Sequence, residues 1–107
     1  MTTKQNAEEW TVVAEPRATI IMTDVDDEWE GYYEGVAIIH NDTTDEDYEY
    51  LNFRDSSGDP YQISASWDLK RAYENIPVGT YSKFRLVGTK PSKKGNDVKL
   101  YKVFTRN

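Results

Sequence analysis

Residues 48–76 read YEYLNFRDSSGDPYQISASWDLKRAYENI, and within this one stretch the hydrophobic period changes from two to between three and four. From Tyr48 to Asp55 the alternation sets Leu51 and Phe53 on a core face and Tyr48, Tyr50, Asn52 and Arg54 on the other. Ser56-Ser57-Gly58-Asp59-Pro60 is a turn, so Tyr61 to Ser66 is the returning strand of a hairpin. Leu69, Ala72, Tyr73 and Ile76 then fall at i, i+3, i+4 and i+7, a single apolar stripe on a short helix starting near Trp67. Ser66 can cap that helix, Asp68 suits its positive end, and Pro77 with Gly79 ends it.

Upstream, Tyr32 to His40 (YYEGVAIIH) is a strand whose interior Gly35 predicts a bulge or tight bend. Asn41 to Asp47 (NDTTDED) and residues 24–31 (DVDDEWEG) read as acidic loops, Trp10 to Ala14 and Ala18 to Thr23 as short strands, and residues 1–9 as a mobile start. Downstream, Thr80 to Thr89 and Val98 to Thr105 are strands joined by KPSKKGND. From Tyr32 onward the order is strand, strand, strand, helix, strand, strand. The expected fold is therefore mainly all-β: a five-stranded OB-fold-like antiparallel barrel, one short helix between its third and fourth strands, extra N-terminal strands, and residues 10–107 as a single domain. Another five-stranded antiparallel topology gives a similar pattern, whereas a small SH3-like barrel has no place for a two-turn helix there.

The charges are unevenly placed. The chain carries a net charge of −6, yet residues 80–107 hold eight Lys and Arg against one acid, Asp97, while 18 acids lie before residue 80. An acidic protein thus contains a basic segment able to meet a polyanion. Eight of its 14 aromatic residues are Tyr, a ring with a polar tip that suits binding surfaces. There is no Cys, so no disulfide or thiolate metal site is expected. With no apolar run of membrane-spanning length, the expectation is a soluble, cytoplasmic protein with no membrane partner.

Two elements carry the binding expectation. Tyr48, Tyr50, Asn52 and Arg54 form an outward strip, with rings on which bases can stack and an arginine for phosphate. Lys90, Lys93 and Lys94 lie in the loop before the last strand, and Lys83 and Arg85 alternate with Phe84 and Leu86 beside it; all five can neutralise phosphates. Against them stand Asp42, Asp45, Glu46 and Asp47, which border the same face and repel phosphate within a Debye length of about 8–10 Å.

The run YLNFRDSSGDPYQISASWDL, followed by ENIPVGTYSKFRLVGTKPSKKGNDVKLYKVF, resembles the small single-domain OB-fold single-stranded-DNA-binding proteins of bacteriophages. The likeness lies in the F-x-D-x-x-G-x-x-Y turn, the helix, the strand ending in Val-Gly-Thr, the Lys/Gly/Asn loop and the closing K-L-Y-K-V, and it spans about residues 32–106. The chain ends in the basic Thr105-Arg106-Asn107 where bacterial relatives carry an acidic tail. The resemblance implies a non-enzymatic protein that coats exposed strands in phage DNA replication or recombination. Its partners would be single-stranded DNA, or RNA by the same chemistry, a second copy in a homodimer, and replication or recombination proteins.

Other chemistries find little footing. Read as a calcium loop from Asp24, the sequence puts Trp29 where the turn glycine belongs and Gly35 where the bidentate glutamate belongs. His40 is the single imidazole, and there is no glycine-rich phosphate loop. No catalytic residue, metal or cofactor is expected. The rival class is a barrel used for protein interaction, for instance an acidic regulator that mimics nucleic acid through residues 24–49.

Overall fold

The computed structural model describes residues 15–91, 95 and 97–106. Its elements are β1 (Ala18–Thr19), β2 (Glu28–Asn41), β3 (Glu46–Arg54), β4 (Pro60–Ser64), α1 (Trp67–Tyr73), β5 (Tyr81–Pro91) and β6 (Asp97–Thr105). They form one six-stranded sheet in the order β1-β4-β3-β2-β5-β6, curled into a half-barrel. The sheet is mixed, because β1 runs parallel to β4 while every other pair is antiparallel. The five strands β2–β6 pair antiparallel as expected, but the sheet has six strands, because β1, from the expected N-terminal strands, adds to its edge in parallel. Residues 1–14, where a mobile start and a first strand were expected, lie outside the described residues.

Strand β2 organises the sheet. Glu28 to Tyr32 pair with β5 and Tyr32 to Asn41 pair with β3, so only Tyr32 is laddered on both sides. Between these halves the register slips at Tyr33/Gly35, and Gly35 has φ 110°, the left-handed region that a side chain resists. The bulge thus falls at the interior glycine that predicted it. At Gly31 a Cβ atom would come within 2.6 Å of the Arg54 carbonyl oxygen and within 2.5 Å of the Trp29 ring. That position needs glycine because backbone and indole both crowd it.

Residues 24–31 are not one loop. The turn ends at Asp27, whose carboxylate accepts hydrogen bonds from the Asp24 and Thr23 amides (2.9 and 3.0 Å), which hold it below the usual carboxylate range. Glu28 then enters the sheet, with Trp29 facing the core and Glu28 and Glu30 facing outward. In the other direction the strand expected over Ala18 to Thr23 shrinks to two residues.

The core lies on the concave side of the sheet. Phe53 is fully buried and touches Trp29, Tyr33, Tyr73 and Phe84 with ring centroids 5.3–5.6 Å apart, which ties β2, β3, β5 and α1 to one residue. Leu51, Leu69, Leu86 and Ile63 complete it. Helix α1 starts as its capping residue predicts: Ser66 Oγ accepts the Leu69 amide at 3.3 Å. Leu69 and Tyr73 bury its stripe, and the Tyr73 hydroxyl meets Ser82 Oγ at 2.6 Å, so neither buried oxygen is left unpaired.

The half-barrel stays open between its edge strands. Among the described residues β4 and β6 do not pair, and side chains cover the gap instead. Asp68 of α1 accepts the Tyr101 amide of β6 at 2.9 Å, and Lys99 Nζ donates to the Met22 carbonyl. An edge amide capped by a carboxylate is a poor template for another strand. No helix among the described residues is long and apolar enough to cross a membrane.

Candidate nucleic-acid interface

Cross-strand partners share a face, so the register maps the outer surface of the sheet. Tyr48 opposes Ile39, Tyr50 opposes Ala37 and Ser64, Asn52 opposes Gly35 and Gln62, and Arg54 opposes Tyr32 and Pro60. Tyr32 in turn opposes Tyr81, and Glu30 and Glu28 oppose Lys83 and Arg85, which oppose Phe104 and Lys102 of β6. The bulge keeps Ala37 and Ile39 on the same side as Tyr32. One continuous outer face therefore carries Tyr48, Tyr50, Asn52 and Arg54 at one end and Lys83 and Arg85 at the other.

These residues differ in what they can offer. Tyr48 and Tyr50 line an open hollow of about 590 Å³ with Ile39, His40 and Asp42, and the Tyr48 hydroxyl donates to Glu46 at 2.9 Å. The side-chain oxygen of Asn52 is buried without a hydrogen-bond partner among the described residues. Arg54 is already engaged: it pairs with Glu15, with Glu34 at 2.9 Å and with the Gly58 carbonyl at 2.6 Å. Hydrogen bonds donated to Glu15 first and Glu34 second raise its already high pKa. Glu34 also faces Arg17 at 2.9 Å; burial pushes its carboxyl up, but hydrogen bonds from Arg54 and Arg17 outweigh it and leave it lower than usual. Arg17 goes on to donate to the Phe53 and Tyr61 carbonyls, so this network straps the N-terminal strand onto the β3–β4 hairpin.

At the far end, cations gather on one ring. Lys83, Arg85 and Lys102 lie 5.1, 5.3 and 5.9 Å from the centroid of Phe104, and Arg106 lies 4.3 Å from that of Tyr81. Arg85 is paired with Glu28 at 2.5 Å, whereas Lys83 and Lys102 have no ion pair among the described residues. Tyr81 stacks edge-on against Tyr32 at 4.8 Å and donates to Glu30 at 2.6 Å, a bond that raises its pKa. Lys90 is exposed near the end of β5, opposite Val98; Lys93 and Lys94 lie outside the described residues.

Tyr32, Tyr81, Lys102, Phe104 and Arg106 thus join the face although no single-strand reading selects them. Their signal is in the register, which sets Phe104 of β6 opposite Lys83 and beside the Arg85–Lys102 pair. The acidic tip is also built: His40 Nδ1 meets Asp47 at 2.7 Å, and its Nε2 lies 3.3 Å from Asp45 and 3.6 Å from Asp42. Asn41 Oδ1 accepts the Thr43 amide at 2.9 Å and closes the turn. No cluster poised to hold a metal ion occurs among the described residues.

The arrangement can do two things chemically. Exposed rings can stack on flat, unpaired bases, and the cations around Phe104 can meet phosphate oxygens. No protein-family model, curated protein or solved structure matches the chain.

Proposed function

We propose that the protein binds single-stranded DNA without catalysis and coats strands exposed during replication or recombination, on a variant of the OB-fold plan. Placement of α1 between the third and fourth long strands supports that plan. So does the long, bulged β2 shared between two neighbours. The observation that carries the function is the outer face itself: Tyr48 and Tyr50, then the Tyr32–Tyr81 pair, then Phe104 ringed by three cations, all on one surface. Stacking contributes roughly 1–3 kcal/mol per base and needs unpaired bases, while the cations add a salt-dependent, sequence-blind term. The resemblance of residues 32–106 to small phage single-stranded-DNA-binding proteins agrees with this reading.

Fluorescence anisotropy with labelled oligo-dT, the matching duplex and oligo-U at equal low salt tests it. The single strand should bind most tightly of the DNA forms, and equal affinity for single strand and duplex would refute stacking.

One observation favours a second reading. Beyond the bulge, Val36 and Ile38 are 47% and 64% exposed and lie next to the carboxylates gathered by His40. An apolar ribbon rimmed with acid suits a basic protein partner. Absence of oligonucleotide binding, with a partner recovered through this ribbon, would favour it.

A further inference from the structure

Glu30 is out of place on a face that meets phosphate. Its carboxylate lines a hollow of about 290 Å³ together with Tyr81, Lys83, Phe104 and Arg106. Oε2 accepts the Tyr81 hydroxyl at 2.6 Å and lies 3.8 Å from Arg106, while Oε1 accepts no hydrogen bond among the described residues. A carboxylate there repels the backbone of a bound strand unless it meets hydrogen-bond donors, and within a DNA strand those donors are on the bases.

We propose that this hollow takes a guanine of the bound strand, an inference that rests on the single-stranded-DNA reading above. Base chemistry selects guanine by elimination. Its Watson–Crick edge presents two adjacent donors, N1–H and the N2 amine, which match the two oxygens of a carboxylate. Adenine sets an acceptor beside its amine, cytosine does the same, and thymine flanks its one N–H with two carbonyls; each of these acceptors would face Glu30. The third group on the guanine edge, the O6 acceptor, needs a donor beside the carboxylate, and Arg106 and Lys83 stand there. Phe104 supplies the apolar wall, and Tyr81 holds Glu30 in place through its hydroxyl. A base held in this way is read, whereas those on Tyr48 and Tyr50 are only stacked.

The experiment compares a labelled oligo-dT of about twelve nucleotides with the same strand carrying one central dG, dA, dC or deoxyinosine. A good bidentate base contact discriminates by about fivefold or more, so the dG strand should bind at least that much tighter than oligo-dT. Deoxyinosine, which keeps N1–H but lacks the amine, should fall between them, and dA and dC should give no gain. Glu30→Gln should abolish the gain while strengthening oligo-dT binding, since a negative charge leaves the phosphate path. Should Glu30→Gln lose its cooperative thermal transition, Arg106→Gln takes its place, and there the gain must shrink. Oligo-dT binding without a dG gain, or a gain that survives Glu30→Gln, overturns the guanine site alone. Failure of every oligonucleotide to bind overturns the single-stranded-DNA reading, and this one with it.

Discussion

The two ends of the outer sheet face use aromatic rings in opposite ways. On the β2–β3 ribbon, Tyr48 and Tyr50 stand beside Asp42 and Glu46, and the Tyr48 hydroxyl is tied to the second of these acids. On β5–β6, Phe104 and Tyr81 are surrounded by Lys83, Arg85, Lys102 and Arg106. A phosphate is repelled at the first end and attracted at the second, whereas a base face can stack at both. On the proposed reading the contrast would divide the work, with stacking at the ribbon and charge neutralisation at the far strands. Between them runs the acidic row of β2, Glu28, Glu30 and Glu34, which occupies Arg85 and Arg54 and leaves Lys83 and Lys102 as the unpaired cations of that end among the described residues.

The largest effect would break the comparison altogether, because Phe53 is the residue on which both ends rest. Phe53→Ala should cost about 3–5 kcal/mol, a large share of a small domain's stability, as read by urea denaturation. A loss below about 1 kcal/mol would mean that the two halves do not share a core. Next comes the ribbon: Tyr48→Ala with Tyr50→Ala should weaken oligo-dT binding by about 2–4 kcal/mol if each ring stacks on a base. Melting should barely change, since neither ring belongs to the core cluster, and a lost cooperative transition would make these rings structural instead.

The buried tyrosines sharpen the contrast with the ribbon. Burial pushes the Tyr73 phenol up to about 12, and it raises those of Tyr33 and Tyr101 as well. Because the folded value lies above the unfolded one of about 10, the stabilisation is complete below pH 10 and is lost as pH rises from there through about 12. Thermal melts across that window should show a fall on the order of 1–3 kcal/mol, smaller in Tyr73→Phe. A flat profile would show that these phenols ionise without unfolding. The smallest effect isolates the far strands. Lys83→Gln with Lys102→Gln should reduce the slope of log K against log salt by about 1.4, at roughly 0.7 per phosphate on a single strand. An unaltered slope would move phosphate contact to Lys90 and the loop that follows it.

What could be read from the sequence was local. Leu51 and Phe53 facing inward, the Ser66 cap and the turn at Gly58 each depend on neighbours a few residues away, and each is where its pattern puts it. The start of β2 was open to view in principle, since Glu28 and Glu30 alternate with Trp29 and Gly31, but the acid run before it has the composition of a loop. Arg54 was read as a phosphate ligand because its partners Glu34 and Glu15 lie 20 and 39 residues away, in segments whose pairing periodicity does not fix. The cations on Phe104 depend on a register that slips between Leu86 and Gly88, which no single-strand pattern reports. The parallel pairing and short length of β1 escaped for the same reason: a strand is expected from Ala18, but only Ala18 and Thr19 ladder, and their partners Tyr61 and Gln62 lie 43 residues on.

Tyr32, the one residue of β2 laddered to both neighbours, has a consequence for the shape of whatever lies across it. Adjacent strands rotate by roughly 20–25° in a twisted sheet, and the bulge next to Tyr32 adds to that rotation. The ribbon and the β5–β6 surface are therefore two plates meeting at a crease, not one plane. A stiff rod such as a duplex, with a persistence length of about 150 base pairs, can lie along one plate only. A ligand that bends from one nucleotide to the next can turn at the crease and touch both, so flexibility is selected by the angle of the surface, independently of any ring that stacks.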